Sequence, residues 1–330
     1  MTRLPLALSM GDPAGVGPEL ALAARAAPDV PPFVVVGSLR ALREAGAALH
    51  PDVPVIAVAS PAEGMARFGE GLPVIDAADC GWHPGQPDEP GARAAFASLV
   101  AACAWVREGQ AAALVTGPIA KSRLATVGFA YPGQTECVAA ECGVAAEDAV
   151  MMLAGPNLRV VPITVHIALA DVPAMLTAER ITRRSAIAAA ALAQDFGIAA
   201  PRLAVAALNP HAGEDGRMGH EDQTVIAPAV AALRALGIDA TGPLSADTMF
   251  HADARARYDV AICMYHDQAL IPIKLLDFDD GVNVTLGLPI VRTSPDHGTA
   301  FGIAGQGIAR AGATLAALRM AAACAERRHG

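Results

Sequence analysis

Residues 258–307 read YDVAICMYHDQALIPIKLLDFDDGVNVTLGLPIVRTSPDHGTAFGIAGQG. The stretch opens on a buried apolar strand, Asp259–Tyr265, which runs straight into the polar pair His266-Asp267. Lys274, one of only two lysines in the protein, follows, then Asn283 and Arg292 on strand ends and a Gly-rich loop carrying His297. Polar groups delivered in this way by an apolar frame mark a wall of an active site in an α/β protein, where loops beyond the carboxyl ends of strands collect function.

Outward from that stretch the same grammar repeats. Apolar runs at Leu4–Ser9, Pro32–Gly37, Val53–Ala59 and Ala111–Thr116 alternate with helical patterns at Ser38–Ala45 and Ala92–Glu108. Such alternation predicts a parallel α/β sheet. Gly11–Gly17 (GDPAGVG) joins the first run to a helix that starts with Pro18 and Glu19. It has neither GxGxxG nor GK[ST] spacing, so it is either a tight strand-to-helix turn or a ligand loop of another kind. Asp76–Pro90, rich in Gly and Pro, reads as a surface excursion, and Ala178–Phe196 as a long amphipathic helix.

Three strands are expected to end in a histidine: Arg159–His166, Arg202–Leu208 followed by Asn209-Pro210-His211, and Asp259–Tyr265 followed by His266. Carboxyl ends of parallel strands gather at one rim, and clustered imidazoles suit a first-row divalent ion. The other loop and terminal histidines, His50, His83, His220, His251 and His329, read as surface residues. Two further segments place polar groups at helix starts: Thr116–Ser122 (TGPIAKS) with Lys121, and Tyr131–Glu136 (YPGQTE), where Gln134 and Thr135 stand beside amides free to meet an anion.

Composition narrows the class. The 330 residues are 53% hydrophobic and 17% charged, as in a compact globular chain of two lobes. A net charge of −9 without a basic run argues against nucleic acid or an anionic membrane as partner. The N-terminal apolar run is too short for a leader peptide, and no run approaches the roughly 20 apolar residues of a membrane span, so a cytoplasmic protein is expected. Six scattered cysteines without a CxxC pair predict free thiols.

Taken together, MGDPAGVGPE, TGPIAK, PGQTE, VHIAL, LNPHAGEDGRMG, GPLSADTMF, YHDQALIPIK, GVNVTLGLPIVRTSPDHGTAF and GIAGQG resemble the 4-hydroxythreonine-4-phosphate dehydrogenase family of vitamin B6 biosynthesis, in order and over almost the whole chain. The resemblance implies an isocitrate/isopropylmalate dehydrogenase-like fold, two α/β lobes with the active site in the cleft between them. The expected lobes are discontinuous, about 1–130 with 290–330 and about 131–289. It implies a homodimer with a shared active site, and a divalent metal (zinc, magnesium or cobalt) on His166, His211 and His266, one of them donated by the partner subunit. Substrate contacts fall on Gln134, Thr135, Lys274, Asn283 and Arg292. Asp247, Asp267 and Lys274 are the expected catalytic groups, and His297, Gly298, Thr299 and Gly305 the contacts to NAD or NADP.

The implied reaction is oxidation of 4-phosphohydroxy-L-threonine by NAD(P)+ and decarboxylation to 3-amino-2-oxopropyl phosphate. Two departures stand out. Gly302 and Gln306 replace the acid and lysine of the family's AFDIAGKG, which leaves NAD versus NADP open, and Gln134 replaces the histidine of PGHTE. Glutamine donates a hydrogen bond but carries no charge. That change keeps in play a paralogue acting on D-erythronate or D-threonate 4-phosphate or on an aromatic cis-dihydrodiol dicarboxylate. A non-catalytic metal- or ligand-binding protein is the alternative from another class.

Overall fold

The structure, a computed structural model, describes residues 4–329. Met1–Arg3, part of the N-terminal run weighed as a leader, and Gly330 lie outside the described residues. The strands are β1 (Leu6–Ser9), β2 (Phe33–Gly37), β3 (Val55–Ala57), β4 (Leu72–Asp76), β5 (Leu114–Thr116), β6 (Val150–Ala154), β7 (Arg159–Pro162), β8 (Arg202–Ala206), β9 (Asp239–Leu244), β10 (Val260–Cys263), β11 (Val282–Leu286) and β12 (Arg292–Pro295). Contacts divide the chain into two units, Met1–Ala146 with Leu288–His329, and Glu147–Gly287.

In the first unit the strands run in the order β3-β4-β2-β1-β5-β12 and every pair is parallel. β2 is FVVVG with no exposed residue, the continuous apolar run expected of a strand covered on both faces. Helices start where short polar side chains can take orphan amides. Ser38 accepts from Ala41, Ser60 from Glu63, and Asp88 from Gly91, with Pro61 and Pro90 in the first turns of their helices.

The second unit runs β11-β6-β7-β10-β8-β9. Here the expectation of a parallel sheet needs correction: β7, β10, β8 and β9 are parallel, but β6 is antiparallel to both β7 and β11. The cause is local. Gly155-Pro156-Asn157 reverses the chain between β6 and β7, and the Gly155 amide donates to the Leu158 carbonyl at 2.9 Å. The long helix Ala178–Phe196 has the predicted bounds, begins at a Thr177 cap and ends at Gly197 with φ of 70°. All six cysteines are free. No helix among the described residues is long and apolar enough to cross a membrane.

Candidate active site residues in the two units

In the second unit β7, β10 and β8 lie side by side, with Ala261 opposite Val160 and Leu203 opposite Val260. Their carboxyl ends deliver His166, His266 and His211; His211 and His266 follow their strands as expected, whereas His166, expected at the end of its strand, lies beyond it. β7 stops at Pro162, and His166 occupies the following loop at φ of 53°. β10 stops at Cys263, and His266 is the first residue of the helix His266–Leu276. The loops are nevertheless tied together. Ile163 donates its amide to the Cys263 carbonyl at 2.8 Å, and the Thr164 hydroxyl donates to the Met264 carbonyl at 2.8 Å.

The His166 and His266 rings consequently lie 5.7 Å apart at a 43° tilt, on a cavity of about 270 Å³ that Thr164, Tyr265 and Asp267 also line. Asp267 reaches back to His266, its Oδ1 2.7 Å from Nδ1, which leaves Nε2 as the nitrogen available to a ligand. A carboxylate behind an imidazole is the usual support of a metal-binding histidine.

His211 is held differently. It opens a turn, Pro210–Gly216, in which His211, Ala212, Glu214 and Asp215 all have φ between 40° and 55°. Asp222, 1% exposed, anchors the approach to this turn: its oxygens accept the Leu208 amide at 2.7 Å, the Asn209 amide at 3.2 Å and Asn209 Nδ2 at 2.9 Å. His211 does not line the His166–His266 cavity, and the described residues contain no group of three or more His, Cys, Asp or Glu side chains placed to hold a metal. The donor chemistry fits a divalent ion, with two imidazoles together and a third on its own turn.

Asp247 is exposed and accepts the Ser245 hydroxyl at 2.6 Å. Lys274 is exposed in the last turn of its helix. Asn283, opposite Leu153 on β11, keeps a buried Oδ1 without a hydrogen-bond partner among the described residues.

In the first unit the central feature is Arg292, the first residue of β12 and 3% exposed. Its Nη2 donates to Thr116 Oγ1 at 2.7 Å and its Nη1 to Thr135 Oγ1 at 3.3 Å. Burial lowers its pKa to about 10, opposed by the charge of Glu136. Thr135 stands in the first turn of the helix Gln134–Glu141, whose Gly133 cap offers no side chain to the leading amides. Gln134 Nε2 donates to the Gly117 carbonyl at 3.0 Å, which leaves its Oε1 buried without a partner. A guanidinium, two hydroxyls and open amides at a helix start form an anion cradle.

The loop after β12 rests on the GDPAGVG turn. The Thr299 carbonyl accepts the Val16 amide at 3.0 Å, and a Cβ on Gly15 would lie 2.7 Å from that carbonyl oxygen. His297 Nδ1 lies 3.0 Å from the Gly298 carbonyl, and Gly298 has open space where a Cβ would stand. Gly305 has φ of +78° and would set a Cβ 2.6 Å from Pro84, so only glycine fits there. Burial pushes the Glu19 carboxyl up, opposed by the Gly307 and Gly305 amides. GDPAGVGPE is thus the seat of the His297–Gly307 loop.

Asp222, Gln268 and Thr116 carry no sequence mark of these roles. Gln268 bridges two strands by donating to Ala207 and accepting from Met264, both at 2.7 Å. Each acts on residues distant in sequence, beyond the reach of local pattern.

Known proteins similar to this one match it over nearly its full length. A 4-hydroxythreonine-4-phosphate dehydrogenase of Erythrobacter litoralis (strain HTCC2594) is 56% identical over 98% of this chain and 97% of its own. Its namesake from Zymomonas mobilis subsp. mobilis is 50% identical over 98% and 96%. Among solved structures, the 4-hydroxythreonine-4-phosphate dehydrogenase of Klebsiella pneumoniae superposes with a TM-score of 0.89 at 39% identity, covering 98% of this chain and 99% of that one. A terephthalate 1,2-cis-dihydrodiol dehydrogenase from Burkholderia xenovorans LB400 gives 0.68 at 31%, covering 97% and 98%. The model of the family described as "Pyridoxal phosphate biosynthetic protein PdxA" matches residues 29–321, and the chain belongs to that family.

Proposed function

We propose that the protein is an NAD(P)-linked, divalent-metal-dependent dehydrogenase that oxidises 4-phosphohydroxy-L-threonine and releases 3-amino-2-oxopropyl phosphate after decarboxylation, as a cytoplasmic homodimer. The observation that carries the reading is the buried Arg292 with Thr116 and Thr135 at an uncapped helix start, a setting made for a phosphate monoester. Gln134, Lys274 and Asn283 are each proposed as further substrate contacts.

His166, His211 and His266 would hold the metal, which when bound supplies Lewis-acid polarisation of the substrate hydroxyl. His297, Gly298, Thr299 and Gly305 would hold NAD or NADP, whose nicotinamide ring takes the hydride. Asp267 orients His266 through Nδ1. Asp247 is the better candidate to take the hydroxyl proton, since its carboxylate is exposed and held by one serine hydroxyl. The resulting β-keto acid loses CO2, while Arg292 retains the phosphate.

The test is reduction of NAD+ and NADP+ by the purified protein with 4-phosphohydroxy-L-threonine and zinc, magnesium or cobalt. No reduction under any of these conditions sinks the reading. His211→Ala is expected to abolish both metal binding and turnover, and retained activity would remove the three-histidine site.

One observation favours a second reading. Gln134 presents a buried carbonyl oxygen, an acceptor, where a phosphate oxygen would prefer a donor. A substrate that turns a hydroxyl, rather than a phosphate oxygen, toward Gln134 suits this acceptor, and D-erythronate or D-threonate 4-phosphate and an aromatic cis-dihydrodiol dicarboxylate each carry such hydroxyls. Assaying these substrates beside 4-phosphohydroxy-L-threonine separates the readings by kcat/KM.

A further inference from the structure

The second unit holds another cavity, of about 470 Å³, against β8 and β9, lined by none of His166, His211 and His266. Its size falls in the range of small-molecule sites, about 300–1,000 Å³. The floor is apolar: Leu203, Leu244, Met249 and the ring of Tyr258, whose hydroxyl donates to the Met249 carbonyl at 2.8 Å. With the hydroxyl engaged, what Tyr258 adds to the lining is an apolar ring.

The rim carries charges of both signs. Arg202 is neutralised by Asp259, to which it donates twice at 3.1 Å, and Asp239 stands near it on the same edge. Arg257 and His251 also line the cavity, and neither side chain has a hydrogen-bond or ion-pair partner among the described residues. In a chain of net charge −9, a guanidinium without a carboxylate over an apolar floor is a recognition feature.

We propose that this cavity binds an aryl phosphate monoester, its ring on Tyr258 and Met249 and its phosphate on Arg257 and His251. Two separate donors suit the three oxygens of a phosphate better than the two of a carboxylate. The site goes beyond the proposed reaction and shares no residue with it. Ser245 and Thr248 nevertheless line the cavity and bracket Asp247, and Ser245 holds the Asp247 carboxylate at 2.6 Å. An occupant therefore touches the turn that carries Asp247. That link to turnover rests on the role given to Asp247; binding does not.

Calorimetric titration of the full-length Arg292→Met protein, in which the anion cradle of the first unit is removed, with phenyl phosphate tests the site. Affinity is expected to fall about tenfold or more in Arg257→Ala, the worth of one charge-assisted hydrogen bond. Ala254→Phe, which fills the cavity from its wall, is expected to do the same. Lys274→Ala, which removes a contact proposed for the reaction, is expected to leave it unchanged. Absence of binding overturns the proposal, as does equal binding of inorganic phosphate, or a loss in Lys274→Ala with none in Arg257→Ala. Turnover of 4-phosphohydroxy-L-threonine is measured separately, so failure of one reading does not imply failure of the other.

Discussion

At the scale of single residues, Arg292 is the most informative position. Withdrawing a guanidinium from water is unfavourable, which is why burial draws its pKa down to about 10. The group's folded pKa lies below its unfolded value, so its burial opposes folding at neutral pH, and the penalty fades only as pH rises above about 10. A residue kept at such a cost serves a ligand better than it serves the core. Arg292→Met, close in volume and uncharged, is expected to hold or raise the Tm while destroying catalysis, as apolar replacement of buried charge commonly does. Inorganic phosphate should raise the Tm of the native protein and leave that of the variant unchanged, because only ligand bound to the folded state stabilises it. A variant still stabilised by phosphate would disconnect Arg292 from the anion cradle. Asp267→Asn probes the other unit. Losing the carboxylate behind His266 Nδ1 is expected to weaken zinc binding about 10–100-fold with the fold intact, read by competition with a chelator.

At the scale of elements, the turn Pro210–Gly216 stands out because four non-glycine residues in it have left-handed backbones. Each costs about 1–2 kcal/mol, which the Asp222 anchor helps to offset. Ala212→Gly removes that penalty and adds about 0.5–1 kcal/mol of unfolded-chain entropy, for a net gain of about 0–1.5 kcal/mol. The same change at Ala232, within the helix Ala227–Ala235, should cost about 1 kcal/mol. Denaturant titration of the two variants reads the contrast in sign, and a loss at Ala212 equal to that at Ala232 would contradict the left-handed turn. The sequence hinted at this turn only through Gly213 and Gly216. Strands and helices were far more legible, since VVV and AVAAL are bounded by Gly, Pro or charge, and the helix over Ala178–Phe196 follows from its own period and Thr177 cap. The antiparallel course of β6 was not legible, because an apolar run such as VMMLA reads alike in either direction and partner choice is a long-range property. The same limit hid Thr116 as the partner of Arg292, which depends on β12 lying beside β5.

At the scale of the whole molecule, the histidines pose a question of assembly. His166 and His266 meet at 5.7 Å while His211 does not line their cavity. Family resemblance implies that one of the three ligands comes from a partner subunit. The chain has apolar surface suited to such a contact on and just after the helix that begins at His266: Ile271, Leu275 and Phe278 are 65%, 83% and 71% exposed. A twofold dimer with shared sites makes a quantitative prediction. His211→Ala and His266→Ala chains are each expected to be inactive alone. If the two histidines of one site belong to different subunits, half of the dimers in an equimolar, refolded mixture pair unlike chains, and each such dimer carries one intact site of two. Activity should then return to about a quarter of the native value. No recovery, with heterodimers demonstrated by differently tagged chains, would place His211 and His266 in the same subunit's site. Leu275→Asp supplies the independent arm. It is expected to shift sedimentation toward the monomer and to remove turnover and tight zinc binding together, whereas an active, zinc-binding monomer would show that each chain completes its site alone.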